Sequence, residues 1–372
     1  MDETRPTFAV RWRSLRNRIL LAPRFHRIAL ASPVGRFFAR RSARKLFDLT
    51  AGFVYSQVLV AGVRSKLFEH LVEGPATVSE IAAATGLPED AARRLLAASA
   101  SLDLTDRLAD GRFMLGAQGA ALLANPGVAA MIRHHDALYA DLRDPVAALE
   151  RRGGGDLARL WNYDGDTGEP SAETASYTAL MAASQDLVAR ETLRLFDVRP
   201  FSAIVDIGGG NGRFLTHVAD RNAHAELHLL DRPSVLPLAR DALSHRPDKE
   251  RFTLHGGHFL TAPLPENCDL VTLIRVLHDH DEEVVERLLR RVYETLEPRR
   301  GTLLVSEPMA GARARSRIGD AYFNLYLQAM GSGRPRMASE LCDMLRQAGF
   351  RRVRALPSGM PIATSAIVAE IG

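Results

Sequence analysis

Ala203-Ile-Val-Asp206-Ile-Gly208-Gly209-Gly210-Asn211-Gly212 reads as an apolar strand that ends near an acid, turns through a glycine loop and enters a helix. Glycine tolerates positive φ and lets the backbone approach a ligand closely, so such a turn is a place where a small molecule lies against the main chain. The spacing discriminates between ligands. A dinucleotide fingerprint is G-x-G-x-x-G, and counted from Gly208 its third glycine falls on Arg213. The segment is instead D-x-G-x-G-x-G.

From residue 202 onward, short apolar runs alternate with amphipathic helices. Strands are expected at Ala203–Asp206, Leu227–Leu230, Asp269–Ile274 and Thr302–Ser306, with helices after Gly212, Pro233, Asp281 and Arg336. That alternation predicts an α/β domain with a parallel sheet covered on both faces. In such a sheet, side chains at the C-terminal strand ends face the ligand crevice. Asp231, nineteen residues after Gly212, ends the strand LHLLD. An ionised carboxylate there accepts hydrogen bonds from ribose hydroxyls, although an exposed loop acid would look the same and NAD would use the same residue. His278 follows the strand DLVTLI in Arg275-Val-Leu-His278-Asp279-His280-Asp281. A histidine at that position is placed to take a proton from a hydroxyl. A helix capped by Asp281 beside a surface histidine pair is the plainer alternative. No metal is expected, because His278, Asp279 and His280 are too close together to ligate jointly and no distant Cys/His cluster assists them.

Upstream, TVSEIAAATGLPEDAARRLLAASASLDL predicts a helix capped by Thr77 or Ser79, a turn at Gly86–Pro88 and a second helix. DRLADGRFMLG then places Asp110-Gly111 between two short apolar runs, a hairpin signal. Helix-turn-helix plus hairpin is a winged helix. Its second helix offers a DNA groove only Arg93 and Arg94, so dimerisation or substrate lining is the preferred reading and no nucleic-acid partner is expected. Helices continue through 124–200, interrupted by loops at 151–156 and 163–170. Before the winged helix, residues 11–48 read as short helices divided by Pro23 and Pro33, and Phe53–Leu71 as a buried helix.

The chain has 372 residues, enough for two domains with sizeable cores, and two cysteines, too few for a disulfide framework. No unbroken apolar run reaches the ~18 residues that span a bilayer, and the basic N-terminal stretch is too often interrupted by arginine for a cleavable signal, so a cytoplasmic location is expected. The net charge of +4 conceals an asymmetry: residues 1–45 hold twelve Arg and Lys against Asp2 and Glu3, and the rest is mildly acidic. Basic helices with Trp12, Phe25, Phe37 and Phe38 fit contact with anionic lipid, and they fit equally well a dimer that buries the aromatics while the arginines stay solvated.

The glycine loop, Asp231 and the histidine segment, in this order, resemble the class I S-adenosylmethionine-dependent O-methyltransferases of the caffeate and bacterial small-molecule type. The resemblance spans nearly the whole chain. It implies a C-terminal Rossmann-like methyltransferase domain, a mostly helical N-terminal winged-helix dimerisation domain, S-adenosyl-L-methionine as cofactor and a homodimer. The corresponding division is a basic arm at 1–48, a dimerisation and substrate-lining domain at 49–195 and a cofactor-binding domain at 196–372. The loop with Asp206, Gly208 and Gly210 would underlie the methionine portion of the cofactor. His278, in His-Asp-His where the family has His-Asp-Trp, would be the catalytic base, and Glu307 in LLVSEPM would orient it. The family's adenine-side acid in G-G-D is replaced in Gly256-Gly257-His258-Phe259, which leaves His258 and Phe259 to flank the base. A lysine of the plant enzymes falls on Ile274, making Arg275 the candidate for the methionine carboxylate. Met181 matches a methionine near the donor methyl, and a second acid of the plant pattern has no counterpart in GRPRMASEL. The stretch from Arg16 to Arg64 looks like the carotenoid branch of the family found in purple photosynthetic bacteria. That implies a hydrophobic acceptor with a tertiary hydroxyl, of the demethylspheroidene or hydroxyneurosporene type; a phenolic or polyketide acceptor shares every motif above.

Overall fold

The computed structural model describes residues 8–161, 171–311, 318–356 and 365–372, so the loop read at 163–170 lies outside the described residues. The chain forms two compact units, Met1–Ala120 and Ala121–Gly372.

In the first unit, helices α1 (Phe8–Leu21), α2 (Pro23–Ala31) and α3 (Pro33–Arg64) follow one another, and Pro23 and Pro33 each open a helix where a missing N–H costs nothing. The sequence reading placed a helix break after residue 48 and a buried helix from Phe53. Helix α3 instead runs unbroken for 32 residues and buries only Val60, Gly62 and Val63 near its end, while Phe53 is 70% exposed. Among the described residues, Val34, Phe37, Phe38, Leu46, Phe47 and Leu49 on it are also exposed. By length and composition α3 is also long and apolar enough to cross a membrane, contrary to the expectation from unbroken runs, because a window with isolated polar residues suffices.

The winged helix forms as read. Helix α4 (Val78–Thr85) starts at Thr77, whose hydroxyl accepts from the Glu80 N–H while Glu80 accepts from the Thr77 N–H. After Gly86 comes α5 (Glu89–Ala100), then strands β1 (Thr105–Arg107) and β2 (Phe113–Leu115), paired antiparallel. Leu67, Phe68, Ile81 and Leu96 fill its core. Arg93 and Arg94 bond Glu89 and Asp90 one turn back on α5, so both cations are matched on their own helix.

The second unit carries a seven-stranded sheet in the order β5-β4-β3-β6-β7-β9-β8. Its strands are β3 (Ala203–Ile207), β4 (Glu226–Asp231), β5 (Phe252–Gly256), β6 (Leu270–Ile274), β7 (Thr302–Glu307), β8 (Arg352–Leu356) and β9 (Ser365–Glu370). The first five are parallel; β9 runs antiparallel to both β7 and β8, so the sheet is mixed where an all-parallel one was expected. Strands β3, β6 and β7 are buried throughout, as a sheet covered on both faces requires. Val205, Val271 and Leu303 pack towards helices Glu282–Leu296 and Ala338–Ala348. Ile204, Leu270 and Leu304 face the opposite layer with Val188, Phe214 and Ala239. Because β3 lies between β4 and β6, the chain reverses its direction of sheet building there, and the crevice beyond those strand ends is the natural ligand site.

Candidate active site

A cavity of about 950 Å³ opens at this crevice, lined entirely from the second unit. That volume stands at the upper end for small-molecule sites, enough for a nucleoside-sized ligand beside a second reactant. Of the residues expected in the site, Met181, Gly208, Gly210, Asp231, His258, Phe259, Arg275 and His278 line it; Asp206 and Glu307 do not.

The floor is the turn after β3. Gly210 has φ +59, and a Cβ built on it meets nothing within 4 Å, so its backbone borders open space. Its N–H donates to Asp231 at 2.7 Å, and the Arg232 N–H donates to the other oxygen at 2.7 Å. An ionised carboxylate is acceptor-only, so Asp231 pins the loop at the edge of the cavity with the chemistry that a ligand's hydroxyls require. Asp206 sits behind this loop. It is buried, accepts from the Thr272 hydroxyl at 2.6 Å, and burial pushes its carboxyl up to about 7 against the effect of that bond. Among the described residues its second oxygen has no hydrogen-bond partner, and Gly209 lies so close that a Cβ would stand 2.7 Å from it. Asp206 therefore shapes the loop from beneath instead of reaching the cavity.

His258 and Phe259 stack at 4.6 Å, and Phe259 meets the His280 ring at 4.9 Å, giving one side of the cavity a flat aromatic edge. His280 thus packs its ring against Phe259, and burial pulls it down to about 4, so it stays neutral. On another side stands Arg275, with φ +61, a region few non-glycine residues occupy and one that marks strain near function. Its guanidinium donates to Ser184 Oγ at 2.8 Å and to the sulfur of Met181 at 3.2 Å, and among the described residues it forms no salt bridge. A cation held at a cavity without a carboxylate, an acid at the neighbouring strand end, an open glycine turn and an aromatic edge together suit a ligand with a carboxylate, a ribose and a purine.

The chemistry centres on the turn Leu277–Asp279, just past β6. His278 Nδ1–H donates to Glu307 Oε2, and Glu307 also accepts from the backbone N–H groups of Val276 (3.0 Å), Leu277 (2.7 Å) and His278 (3.3 Å). One buried carboxylate thus fixes both the turn and the tautomer of its imidazole. On the far side of the ring, Nε2 lies 3.2 Å from Asp279 Oδ1. Burial works against a charged imidazole, but the Asp279 and Glu307 carboxylates outweigh it and hold His278 above its ordinary value.

Sequence reasoning missed three features here. Asp279 was read only as part of a failed metal set. Arg336, 2% exposed, reaches back to donate to the carbonyls of Leu277 (2.8 Å) and His280 (2.9 Å), clamping the turn from a distant segment. The π-helical turn Ile318–Phe323 and helix Asn324–Met330 place Tyr322, Phe323 and Tyr326 on the cavity wall, where Phe323 meets His278 edge-on at 5.6 Å. The hydroxyl of Tyr326 lies 3.0 Å from His134 Nε2, and burial draws that imidazole down to about 4. No local signal marked these aromatics, whose position depends on tertiary packing.

Comparison with known proteins agrees with this geometry. Residues 141–351 match the O-methyltransferase domain family, and residues 47–125 match the O-methyltransferase dimerisation domain. The chain is 43% identical over 349 residues to demethylspheroidene O-methyltransferase of Cereibacter sphaeroides, covering 93% of this chain and 92% of that protein. Its identity to the enzyme of the same name from Rhodobacter capsulatus is 41%, covering 95% and 89%. Among solved structures, human N-acetylserotonin methyltransferase in complex with SAM superposes with a TM-score of 0.76 at 25% identity, covering 89% of this chain and 98% of that one. The mitomycin 7-O-methyltransferase MmcR gives 0.74 at 27% identity, covering 90% and 99%. A dimerisation domain joined to a mixed α/β sheet, with a nucleoside-sized crevice and a carboxylate-held histidine at its strand ends, places the chain in the S-adenosylmethionine-dependent O-methyltransferase family.

Proposed function

We propose that the chain methylates the tertiary 1-hydroxyl of an acyclic carotenoid of the demethylspheroidene or hydroxyneurosporene type. The observation that carries this reading is the agreement with two demethylspheroidene O-methyltransferases across 93% and 95% of the chain. The cavity suits an apolar acceptor: Phe323 meets His278 there, and Met131 and Met330 also line it.

S-adenosylmethionine supplies a sulfonium methyl when bound. Gly208, Gly210 and Asp231 would hold the nucleoside and methionine backbone, His258 and Phe259 would flank the base, Arg275 would receive the carboxylate and Met181 would lie on the methyl side. Asp206 supports the loop from behind. His278 is the base: Nε2 faces the cavity while Glu307 holds Nδ1–H. An aliphatic alcohol is far too weak an acid to ionise beforehand, so proton removal accompanies attack, and much of the rate comes from alignment.

Functionally, we assign 1–48 to an arm, 49–195 to dimerisation and acceptor lining, and 196–372 to cofactor binding, with the protein acting as a homodimer in the cytoplasm. The arm rests on an anionic membrane surface, where a polyene acceptor resides. None of α1 is buried, Phe8, Trp12 and Phe37 are exposed, and residues 8–47 contain eleven cations and no acid.

The test is methyl transfer from labelled S-adenosylmethionine to 1-hydroxycarotenoids and to a panel of small phenols. Label in the carotenoid fraction is expected. Label in phenols alone would overturn the acceptor while leaving the chemistry intact.

A further inference from the structure

We propose that Asp279 is a second proton-holding group of the methyl transfer, so that the proton leaving the acceptor is shared between its carboxylate and Nε2 of His278. The proposal rests on the reading of His278 as the base and adds to it a partner on the reacting side of the ring.

The geometry gives the two carboxylates different stations. Glu307 is committed to Nδ1–H and three backbone N–H groups and stands away from the cavity. Asp279 lines the cavity and stands 3.2 Å from the nitrogen that must receive the proton. It is no swinging surface acid: its carbonyl accepts from the Ser332 hydroxyl at 2.8 Å, and Gly333 packs against its backbone. Among the described residues its only ion-pair partner is His278. Orienting an imidazole needs one carboxylate, and Glu307 suffices for that. A second buried carboxylate with no cation of its own is costly, and it becomes favourable when the ring acquires positive charge.

Proton affinities support sharing. Burial pushes Asp279 up to about 6 against the pull of His278, and His278 is itself held above its ordinary value, so the two titrate as a coupled pair. The groups facing the pair are Glu307 from β7, Arg275 from the end of β6, His280 from the same turn and Tyr326 from helix Asn324–Met330. During transfer the acceptor oxygen forms a bond to the methyl carbon as the carbon–sulfur bond breaks, its electron pair remaining on sulfur. The O–H pair stays with oxygen, and the proton passes to the pair. No oxidant or further reactant is required.

The experiment measures kcat as a function of pH, with S-adenosylmethionine affinity as a folding control, for wild type, Asp279→Asn and Asp279→Glu. Asp279→Asn is expected to lower kcat by ~10²-fold, the lower end of general acid–base contributions. It should also move the acid limb of the profile to lower pH, since removing the carboxylate lets His278 fall towards its ordinary value. Asp279→Glu should recover part of the rate, and cofactor affinity should hold in both. A kcat within about threefold of wild type, or a lowered kcat with the acid limb unmoved, would overturn the proposal. Should wild type methylate only phenols, the acceptor reading fails in the wild-type assay. The profile is then taken on the phenol it accepts, and a failure of the pair shows in the variants alone.

Discussion

Glu307 turns both oxygens inward, onto one imidazole and three backbone N–H groups, so its removal affects the turn and the tautomer together. Replacing it with Gln puts two donors where only acceptors serve. Glu307→Gln should cost about 1–3 kcal/mol of stability for the stranded buried donors and lower kcat roughly tenfold, read by denaturant unfolding and turnover. His278→Ala should cut kcat by ~10²-fold or more with S-adenosylmethionine affinity retained, and activity near wild type would remove His278 from the base role. The same residues show what a sequence discloses. Glycines of the loop, Asp231 and His278 were legible because each stands at or shortly past the C-terminal end of a strand, where the fold dictates which way side chains face. Arg336 was not, since its role comes from a turn nearly sixty residues earlier that it meets only after folding. Asp279 was visible as a letter, but its meaning is a distance to Nε2.

Among the elements, the turn bearing His278 is gripped from two directions, by Arg336 on its carbonyls and by Gly333 against its backbone. Gly333 has φ +75, and a Cβ there would lie 2.0 Å from the His278 carbonyl oxygen. Gly333→Ala must therefore distort either its own segment or the catalytic turn. A loss of at least about 2 kcal/mol and a marked fall in kcat are expected, and a variant equal to wild type in both would show that the grip does not govern the turn. Strand legibility followed burial only in part. Strand β9, buried along most of its length, was not read from the sequence. Strands β3, β4, β6 and β7 announced themselves as apolar runs. Strand β5, partly exposed and ending in His255-Gly256, did not, and neither did β8, an edge strand carrying Arg352 and Arg354. Helix α3 failed in the opposite sense. Its residues from Phe53 onward were read as core, yet Phe53 and Val54 stay exposed because an apolar pattern records a need for cover without saying which chain supplies it.

The chain as a whole is electrically divided, with cations gathered in the first three helices and a mildly acidic remainder. Flotation with anionic vesicles should carry the full protein upward and leave a variant lacking residues 1–45 at the bottom, with binding weakened by salt. Equal flotation of both would detach the arm from the membrane. The sheet carries a different kind of division, one of time. Strand β9 slots between β7 and β8, pairing Thr302 with Glu370 across some seventy residues of chain. Until that late segment leaves the ribosome, β7, the strand that bears Glu307, remains an open edge. The glycine loop and the strands around it are synthesised long before, so a nascent chain holds the makings of its cofactor crevice while one edge of β7 is still unpaired, and in that interval it presents an apolar strand edge to its neighbours and to chaperones.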